Sequence, residues 1–397
     1  MSKPLENIRV LDLTRVLAGP FCTMILSDLG AEIVKVEKPL IGDDSRAFGP
    51  FHDKRSLYFI SINRGKKSIS LNLKHPKGKE ILLDLIKHFD ILTENFRPGT
   101  MEKLGLGYEI LKEINPRLIY ASSSGFGHSG PYSPLPAYDI LVQAMGGIMS
   151  ITGWKDSPPT RVGMSLGDIT ASLFTAIGIT SALYQREKTG TGQKIDIAML
   201  DCQVAILENA LLRLQAEGVS PEPIGNRHPT ISPFQAYEAA DGEFFVLAIG
   251  NDSLWKIFCD ALKRPDLLCD ERFITNKLRT EHLEELNAIL EPLFFTKTLS
   301  EWLAFFTQKH IPSAPINDIA KVMADPQVKA RQMIVDVEDK EAGKVKIAGN
   351  PIKMSSFSDS STRRQAPEIG EHNHSVLGKL LGLTTEVLEE LQRDGVI

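Results

Sequence analysis

The amino-acid sequence predicts an α/β protein, with a parallel, doubly wound sheet in its N-terminal half and a smaller α+β domain after it. In that half, short apolar runs alternate with helical stretches of about ten to fifteen residues, as in consecutive βαβ units. The pattern changes after Gly218, where the proline-rich stretch Ser220–Gly225 is typical of a linker. Asp241 and Gly242 then predict the turn of a hairpin between two apolar runs.

The elements of the sheet follow from the apolar pattern and from the residues that start and stop helices. Pro20 stands at the start of the first helix, where a missing backbone N–H costs nothing, and Gly30 ends that helix. The predicted strands are Ile8–Leu13, Ala31–Val36, Ser68–Leu73, Ile91–Glu94, Leu118–Ser123 and Gln193–Ala198. The predicted helices are Phe21–Leu29, Gly78–Phe89, Thr100–Ile114, Asp168–Lys188 and Met199–Ala216.

The later part of the chain carries fewer and shorter elements. A hairpin of Phe234–Glu238 and Phe244–Ile249 is followed by about two or three helices that extend to Lys309. Towards the C-terminus the sequence predicts a short strand, Lys344–Ile347, and a terminal amphipathic helix, Thr384–Asp394.

Composition and charge favour a soluble, cytoplasmic protein. The chain has 397 residues and a net charge of −5, and its charges are interspersed, so no basic stripe indicates a nucleic-acid partner. We expect charges to interrupt every apolar stretch within about a dozen residues, too short for a membrane span, and we expect no signal peptide. The four cysteines lack the spacing of metal ligands or of a disulfide framework, so we expect no metal.

Asp168 stands where a glycine-containing stretch, Gly163–Gly167, leads into a long apolar helix. The positive end of the helix dipole is expected to keep its carboxylate ionised, and the small residue before it leaves one face open to a ligand. An aspartate before an apolar run is also a common N-cap of a helix. Local spacing therefore leaves two interpretations of Asp168, a nucleophile and a helix cap.

The segment Gly125–Gly130 matches the glycine pattern of dinucleotide-binding loops and follows a predicted strand. Such a loop must open a helix that receives the pyrophosphate at its N-terminus. Here Pro131, Pro134 and Pro136 follow, so no helix is expected. The sequence therefore predicts a ligand-binding loop at the carboxyl edge of the sheet, and not a dinucleotide site.

Cations follow four of the predicted strands at the same edge of the sheet. They are Arg15, Lys38, Lys74 and Arg97. Each alone is ordinarily a solvated surface charge. Together they indicate an anionic ligand that extends across the edge, such as a nucleotide diphosphate.

A set of short motifs extends along nearly the whole chain. The N-terminal motifs are Leu11–Pro20, Asp28–Glu37, Gly42–Arg46 and Asn63–Ser68. The later motifs are Glu94–Gly99, Leu104–Tyr108, Gly125–Gly127, Gly190–Gln193 and Asn226–Pro229. In this order the motifs resemble those of the family III CoA-transferases, the family of formyl-CoA transferase and carnitine CoA-transferase. Each motif is short, but the collinear set is specific.

The resemblance implies an architecture. Members of this family have a large Rossmann-like domain built from both chain ends, here residues 1–219 and 327–397, and a small domain, here residues 220–326 with its linkers. Two subunits interlock like chain links, so the resemblance also implies an interlocked homodimer. The implied ligands are acyl-CoA and a small carboxylic acid, with no metal, no nucleic acid and no membrane.

The resemblance also implies that Asp168 is the catalytic nucleophile. Its carboxylate would attack the thioester of an acyl-CoA donor and form an aspartyl-acyl anhydride, and the departing thiolate would then give an aspartyl-CoA thioester. The acceptor acid would repeat these steps in reverse. A carboxylate nucleophile suits this chemistry because the anhydride keeps the acyl group activated, whereas a serine ester would lose that activation.

The matching positions of the family motifs imply a CoA site. Arg15 and Val16 would line its pantetheine end. The residues implied for the adenosine and phosphates are Lys38, Leu71, Asn72, Leu73, Lys74, Asn95, Phe96, Arg97 and Lys103. Those implied for the CoA tail are Ala137, Tyr138 and Asp139. Arg15 and Arg46 are candidates for binding a second carboxylate on the substrate, since guanidinium pairs with carboxylate through two hydrogen bonds.

The sequence leaves the substrates and two alternative functions open. Arg15 and Arg46 favour a dicarboxylate, with succinyl-CoA as donor, whereas Ile249–Asp252 replaces a run of glycines in formyl-CoA transferases and argues against oxalate or formate. A 2-methylacyl-CoA racemase of the same family would need a Gly-His-Asp motif where Ala137–Asp139 stands, and tyrosine is a poor base near neutral pH. A non-catalytic CoA-binding protein would need Asp168 to be only a cap.

Overall fold

The computed structural model describes residues 3–357 and 360–397 and divides the chain into two compact units. The first unit contains Met1–Ile148, Arg161–Leu212 and Pro326–Ile397, and the second contains Met149–Thr160 and Arg213–Asp325. Both ends of the chain therefore belong to the first unit. Residues 149–160, which the sequence analysis includes in the large domain, belong to the second unit.

A six-stranded parallel sheet organises the first unit. The strands in chain order are β1 (Arg9–Asp12), β2 (Glu32–Glu37), β3 (Phe51–His52), β4 (Arg55–Ser56), β5 (Lys67–Ser70), β6 (Ile91–Glu94), β7 (Ile119–Ser124) and β8 (Lys194–Ala198). Strands β3 and β4 form a separate hairpin, and the other six lie in the order β5-β2-β1-β6-β7-β8. This is the order of a doubly wound Rossmann sheet, where ligands bind beyond the carboxyl ends at the reversal of strand order, here between β1 and β6.

Helices connect these strands and cover the sheet. They are α1 (Ala18–Asp28), α2 (Leu57–Asn63), α3 (Pro76–Ile86), α4 (Thr100–Leu104), α5 (Tyr108–Ile114), α6 (Asp139–Met145), α7 (Ile148–Ile151), α8 (Leu166–Thr189), α9 (Met199–Ala205) and α10 (Ala210–Glu217). Two predicted helices are wrong as single elements. The stretch 100–114 is broken at Gly105, with a φ of 75°, and the stretch 199–216 is broken where Glu208 has a φ of 54°.

The hydrophobic core lies on both faces of the sheet, because alternate side chains of each strand point to opposite sides. Leu11, Val34 and Leu92 belong to one buried cluster, whereas Val10 and Ile33 of the same strands belong to another. Helix α3 contributes to the first cluster, and α1 and α8 contribute to the second. Burial on both faces fixes the strand register and brings the carboxyl ends of the strands to one edge.

Helix α8 is long and apolar enough to cross a membrane by length and composition. The expectation that charges interrupt every apolar stretch within about a dozen residues is wrong here, since no charged residue lies between Asp168 and Arg186. Ala176, Ile179 and Ala182 of this helix are buried in the core of the first unit. A core helix of a globular protein passes the same test of length and composition.

The second unit has its own sheet and an aromatic core. Strands β9 (Phe234–Glu238), β10 (Phe244–Ala248) and β11 (Ser313–Pro315) form a three-stranded antiparallel sheet, in which β9 and β10 are the predicted hairpin. The helices of this unit are α11 (Asp252–Leu262), α12 (Pro265–Cys269), α13 (Asn276–Glu281), α14 (Leu283–Phe294), α15 (Leu299–Gln308) and α16 (Ile319–Ala324). Phe245, Trp255, Phe294 and Trp302 are buried between the sheet and these helices.

The C-terminal stretch returns to the first unit. It contains α17 (Pro326–Ala330), β12 (Ile334–Asp339), β13 (Gly343–Ala348), β14 (Thr362–Arg363), a π-helical turn (His374–Gly378), α18 (Lys379–Leu381) and α19 (Thr385–Arg393). The sequence predicts β13 and α19 but misses β12, the antiparallel partner of β13. The backbone N–H of Asn72 donates to the carbonyl of Val396 at 2.7 Å, and Val396 and Ile397 are buried in the same core cluster as Leu71.

Candidate active site

Asp168 lies in the first turn of α8, but it is not the cap of that helix. The helix begins at Leu166, and Ser165 occupies the N-cap position without a side-chain hydrogen bond to the helix. The side chain of Asp168 accepts no hydrogen bond from any residue in 3–357 or 360–397. The interpretation of Asp168 as an N-cap is therefore wrong, and its carboxylate is available to a ligand.

Asp139, at the start of α6, satisfies the N-terminus of α8 instead. Its Oδ1 accepts the backbone N–H of Gly167 at 2.8 Å, and its Oδ2 accepts a hydrogen bond from Gln143 Nε2 at 2.8 Å. The guanidinium of Arg161 donates to the same Oδ2 at 3.3 Å. A Cβ on Gly167 would lie 2.6 Å from Cγ2 of Val142, so the close approach of α6 to α8 requires glycine there.

Burial raises the pKa of Asp168 to about 7, and the nearby carboxylate of Asp139 adds to the rise. Burial has this effect because removal from water disfavours the charged form of the group. The expectation that the helix dipole keeps this carboxylate ionised is therefore wrong, since a dipole contributes typically less than about 1 kcal/mol. Near neutral pH, Asp168 is a mixture of the carboxylic acid and a poorly solvated carboxylate.

The turn between β1 and α1 packs against the first turns of α8. Ser172 Oγ donates to the carbonyl of Ala18 at 2.5 Å. Val16 and Tyr58 lie in one apolar cluster with the first turn of α8. Burial and then the charge of Asp168 raise the pKa of Tyr58 to about 12, so this phenol lies near the candidate nucleophile. Asp168 is thus beside the carboxyl end of β1, where the strand order reverses.

A buried ion pair holds the turn beside Asp168 in a strained conformation. Val16 has a φ of 66°, which is unfavourable for a β-branched residue. Its N–H donates to Asp43 Oδ1 at 3.1 Å, and Asp43 Oδ2 pairs with Lys35 Nζ at 2.7 Å. Lys35 Nζ also donates to the carbonyl of Thr14 at 2.7 Å. The pair therefore fixes the backbone on both sides of Arg15.

Arg46, a sequence candidate for binding a substrate carboxylate, is already occupied. Its Nε and one Nη donate to the two oxygens of Glu37 at 2.8 and 2.7 Å, and that Nη also donates to the carbonyl of Pro367 at 2.9 Å. Its guanidinium stacks on the ring of Phe59, 3.8 Å from the ring centroid. The structure thus argues against the expected substrate role and shows that Arg46 neutralises the buried Glu37.

Arg15 and Asn95 join the two strands between which the sheet order reverses. The N–H of Arg15 donates to Asn95 Oδ1 at 2.9 Å, and Asn95 Nδ2 donates to the carbonyl of Arg15 at 2.8 Å. The guanidinium of Arg15 is exposed and pairs with Asp44 at 2.9 Å. Because exposed ion pairs contribute little free energy, an anionic ligand can displace Asp44 from Arg15.

The other cations expected to bind CoA are exposed and carry no side-chain partner in the described part of the chain. They are Lys38, Lys74, Arg97 and Lys103. Leu71 is instead buried in the core, and the partly buried Leu73 and Phe96 pack against it. Asn72 Nδ2 donates to the carbonyl of Gly395 at 3.3 Å. The edge can thus bind an anion, whereas no group of His, Cys, Asp or Glu within residues 3–357 and 360–397 could hold a metal ion.

The loop of residues 125–138, between β7 and α6, contains no helix, as its prolines predict. Ala137 lies against Gly125, where an added Cβ would come within 2.0 Å of the alanine methyl group. Tyr138 is 75% exposed. The side chain of Asp139 makes the hydrogen bonds to Gly167 and Gln143 described above. Among the three residues implied for the CoA tail, it is therefore the one whose polar side chain already has partners within the protein.

Three residues of the site were not found from the sequence: Tyr58, which lies near Asp168, and Gln143 and Arg161, which bind Asp139. Gln143 follows Asp139 by one helical turn, and this spacing is a signal that the two side chains share a face of α6. Tyr58 comes from α2, which the sequence analysis does not predict, and Arg161 comes from the irregular loop before α8. No local pattern marks either of them.

The sequence and the fold both match known proteins. Residues 5–373 match CoA-transferase family III. The acetyl-CoA:oxalate CoA-transferase of Acetobacter aceti is 46% identical over 369 residues, which cover 93% of this chain and 93% of that protein. The succinyl-CoA:glutarate CoA-transferase of Mus musculus is 39% identical over 396 residues, which cover 100% of this chain and 90% of that protein.

Among solved structures, a CAIB/BAIF family protein from Brucella suis superimposes with a TM-score of 0.84 at 39% identity, and the match covers 96% of this chain and 100% of that one. These similarities extend over the parallel sheet and the site around Asp168. The chain therefore belongs to CoA-transferase family III, and it is a CoA-transferase that uses CoA thioesters as substrates.

Proposed function

We propose that this protein transfers CoA from an acyl-CoA to a free carboxylic acid, with Asp168 as the covalent nucleophile. The observation that supports the proposal most directly is the environment of Asp168, which is partly buried near a second carboxylate and has a pKa raised to about 7. A carboxylate that served as a cap of α8 would accept backbone N–H groups, and these would lower its pKa. A raised pKa of this kind supports a reacting role for Asp168.

In the first half of the reaction, an oxygen of Asp168 attacks the carbonyl carbon of the donor thioester. A C–O bond forms, the C–S bond breaks, and CoA leaves as the thiolate, which gives a mixed anhydride. The thiolate sulfur then attacks the carbonyl carbon of Asp168. An aspartyl-CoA thioester forms and the donor acid leaves as its carboxylate. Neither step gains or loses a proton, so neither requires an acid–base residue.

In the second half, the acceptor carboxylate attacks the aspartyl thioester and expels the thiolate, and the thiolate then attacks the acceptor carbonyl of the new anhydride. The new acyl-CoA forms and Asp168 returns as its carboxylate. Poor solvation of Asp168 favours attack, because an anion without hydrogen bonds gives up little solvation when it forms a bond. The acyl group stays activated throughout, so no other energy source is needed.

The CoA nucleotide is proposed to lie across the carboxyl edge of the sheet. Lys38, Lys74, Arg97 and Lys103 are exposed there without side-chain partners among the described residues. Three or four cations suit the phosphate charges of CoA. The pantetheine arm would then pass Arg15 and Val16, whose backbone is fixed by Asn95 and Asp43, and would bring the thioester to Asp168.

The acid is proposed to be a dicarboxylate, with succinyl-CoA as donor. The two relatives described above are named for oxalate and glutarate, which are both dicarboxylates. Arg15 offers an exposed guanidinium that can exchange Asp44 for a ligand. The sequence Ile249–Asp252 argued against oxalate, but a relative named as an oxalate transferase is 46% identical to this chain, so oxalate belongs among the acids to be tested.

An interlocked homodimer is the proposed assembly, with a large domain of residues 1–219 and 327–397 and a small domain of residues 220–326. Large apolar side chains on α6, α8 and α10 support it. Examples are Ile140, Met145, Leu173, Ile177 and Leu212, which are between 44% and 64% exposed. Exposed apolar side chains on neighbouring helices are typical of protein–protein interfaces. A second copy of the chain is the occupant that the family resemblance implies.

The variant Asp168→Asn tests the nucleophile. It should bind CoA with unchanged affinity and transfer none of it. In the native protein, hydroxylamine added with acyl-CoA should convert Asp168 to a hydroxamate that peptide mass spectrometry locates. Asp201→Asn is the matched control, because Asp201 is an exposed aspartate in the first turn of α9. Full turnover by Asp168→Asn, with deamidation excluded by intact mass, would overturn the proposal.

The same preparations distinguish the two alternative functions. A racemase would exchange the α-proton of an acyl-CoA for deuterium without moving CoA between acids. A non-catalytic CoA-binding protein would bind CoA and exchange no isotope between a labelled acid and its thioester. We expect acid–thioester isotope exchange in the native protein and its loss in Asp168→Asn.

A further inference from the structure

Arg161 binds Asp139, the carboxylate that accepts the N–H of the residue before Asp168, and part of its hydrogen-bonding capacity is unused. It lies in the loop before α8, and one of its Nη groups donates to Asp139 Oδ2 at 3.3 Å and to the carbonyl of Met164 at 3.2 Å. Its side chain is 41% exposed. A guanidinium has five N–H donors in a planar fork. Here Nε and the second Nη form no hydrogen bond to any residue in 3–357 or 360–397.

The loop that carries Arg161 is held in place by the buried side chain of Gln143. Gln143 Oε1 accepts the backbone N–H of Val162 at 2.9 Å, and Gln143 Nε2 donates to the carbonyl of Met164 at 3.3 Å. Gln143 lies on α6, the helix that Asp139 begins. Because the backbone next to Arg161 is fixed before any ligand arrives, binding a ligand there orders few additional groups.

The negative charges of Asp139 and Asp168 make a neighbouring cation useful for binding an anionic substrate. Asp139 and Asp168 lie close enough that the charge of Asp139 adds to the rise in the pKa of Asp168. A substrate with a further carboxylate would be repelled by both groups without a neighbouring cation. The backbone N–H of Gly167 and the amide of Gln143 already stabilise Asp139, so Arg161 can turn its free donors towards a ligand.

The two arginines singled out from the sequence are placed differently. Arg46 donates from Nε and one Nη to Glu37, and its face is covered by Phe59. Arg15 pairs with Asp44 through one Nη and lies on the proposed path of the pantetheine arm. Arg161 contacts Asp139, whose other oxygen binds the residue directly before Asp168, and its Nε and Nη1 donors remain unoccupied.

We propose that Arg161 binds the distal carboxylate of a dicarboxylic acid while the other carboxylate reacts at Asp168. Arg161 is then the residue that makes this enzyme prefer dicarboxylic to monocarboxylic acids. The proposal rests on the function proposed above, because it assigns the acid subsite of that reaction. The free Nε and Nη1 lie on either side of the Nη that binds Asp139 and Met164, so each can donate one charge-assisted hydrogen bond to a carboxylate.

The test is a competition between two acids that differ in the second carboxylate. Glutarate and valerate are supplied together, and the ratio of glutaryl-CoA to valeryl-CoA is measured by mass spectrometry. Both acids react with the same aspartyl-CoA intermediate, so the identity and affinity of the donor cancel from the ratio. Replacing Arg161 by Ala should lower the ratio roughly 10- to 100-fold, the range for losing charge-assisted hydrogen bonds.

Three further variants distinguish binding from a structural effect. Arg161→Lys keeps the positive charge but lacks the planar guanidinium, so it should retain part of the selectivity that Arg161→Ala loses. Arg161→Gln can still donate to Asp139, so it should fold as the native protein does and yet lose selectivity. Arg117→Ala is the matched control, because Arg117 is an exposed arginine at the amino end of β7, 3.7 Å from Glu187, and its loss should leave the ratio unchanged.

Two results would count against the proposal in different ways. An unchanged product ratio in Arg161→Ala and Arg161→Gln, with both acids slowed equally, would show that Arg161 does no more than hold Asp139, and would overturn the inference while leaving the proposed function intact. Failure of the native protein to form CoA thioesters of either acid, or of any other acid in a wider panel, would refute the proposed function and the inference with it.

Discussion

The carboxylate of Asp139 accepts the backbone N–H of Gly167 at 2.8 Å, one residue before Asp168. The first N–H groups of a helix have no acceptor within the helix, and this hydrogen bond supplies one for Gly167. Asp168 is thereby left without a capping function. The same arrangement puts a second negative charge near Asp168, and that charge adds to the effect of burial on its pKa.

The pH dependence of transfer should follow the ionisation of Asp168. Its pKa of about 7 lies above the ordinary value, so below pH 7 the nucleophile is mostly protonated and inactive. We expect kcat/KM to rise about tenfold per pH unit up to near pH 7 and to level off above it. Asp139→Asn removes the neighbouring charge and should move this limb to lower pH, whereas the control Asp201→Asn should not. A profile without a limb above pH 5 would contradict the raised pKa.

The raised pKa should also appear in thermal stability. An acid whose pKa is higher in the folded state stabilises that state at low pH, and this stabilisation is lost as the pH rises from about 4 to 7. Above pH 7 the buried charge costs the folded state about 1.4 kcal/mol for each unit of the rise. Asp168→Asn removes the charge, so its melting temperature should exceed that of the native protein at pH 8 and equal it near pH 4. Equal melting temperatures at pH 8 would show that the carboxylate is well solvated.

Arg46 should prove essential for stability and not for substrate choice. Arg46→Ala leaves the buried Glu37 without its main partner, and breaking such a pair costs about 3 to 5 kcal/mol. Arg9→Ala is the control, because the pair of Arg9 and Glu32 is exposed at 3.3 Å and should contribute less than about 1 kcal/mol. Urea unfolding measures both. A stable Arg46→Ala variant with reduced selectivity for dicarboxylates would restore the substrate role that the sequence suggests.

The exposed cations should contribute to CoA affinity. Lys38→Ala or Arg97→Ala should weaken CoA binding by about 1–3 kcal/mol, the range for charge-assisted hydrogen bonds, while the KM of the acid changes little. Lys87→Ala is a suitable control, because Lys87 is an exposed lysine that pairs with Asp84 at the end of α3. Calorimetry with free CoA gives the affinity. Equal losses for CoA and for the acid would indicate a general effect on the fold.

The proposed dimer should not dissociate on dilution. Interlocked subunits cannot separate while they are folded, so dissociation should coincide with unfolding. Mass photometry at nanomolar concentration should give about twice the chain mass of 43.9 kDa. A folded and active monomer under those conditions would refute the interlocked assembly, and the domain division inferred with it.

The sequence predicts the sheet well because each strand is a short apolar run between helix signals. All six strands of the parallel sheet lie within a few residues of their predicted positions. The failures have local causes. Gly105 ends α4 in a left-handed conformation inside a pattern that otherwise continues as a helix. Strand β12 was missed because a short strand is recognised most easily by its pairing partners. Pairing between strands leaves little trace in a single sequence, and of the two neighbours of β12 only β13 was predicted.

The site is harder to predict because its chemistry depends on contacts between distant residues. Asp168 is recognisable from its motif, but its raised pKa follows from burial and from Asp139 on another helix. Arg46 looks like a free cation until the fold brings Glu37 to it. Arg161 is the reverse case. No feature of the neighbouring sequence distinguishes it, and only its contact with Asp139 in the fold connects it to the site.

The hydrogen bond between Asn72 and Val396 joins two segments that are far apart in the sequence, and this separation affects folding during protein synthesis. Strand β5 and the residues after it are translated before residues 213–325, whereas side chains that cover them, including Val396 and Ile397, are translated after those residues. Much of the second unit, residues 213–325, is made before that cover exists and can fold as a continuous segment. Until the covering residues are made, the nascent sheet keeps part of an apolar face uncovered, and we expect the yield of folded enzyme to depend on chaperone capacity and translation rate.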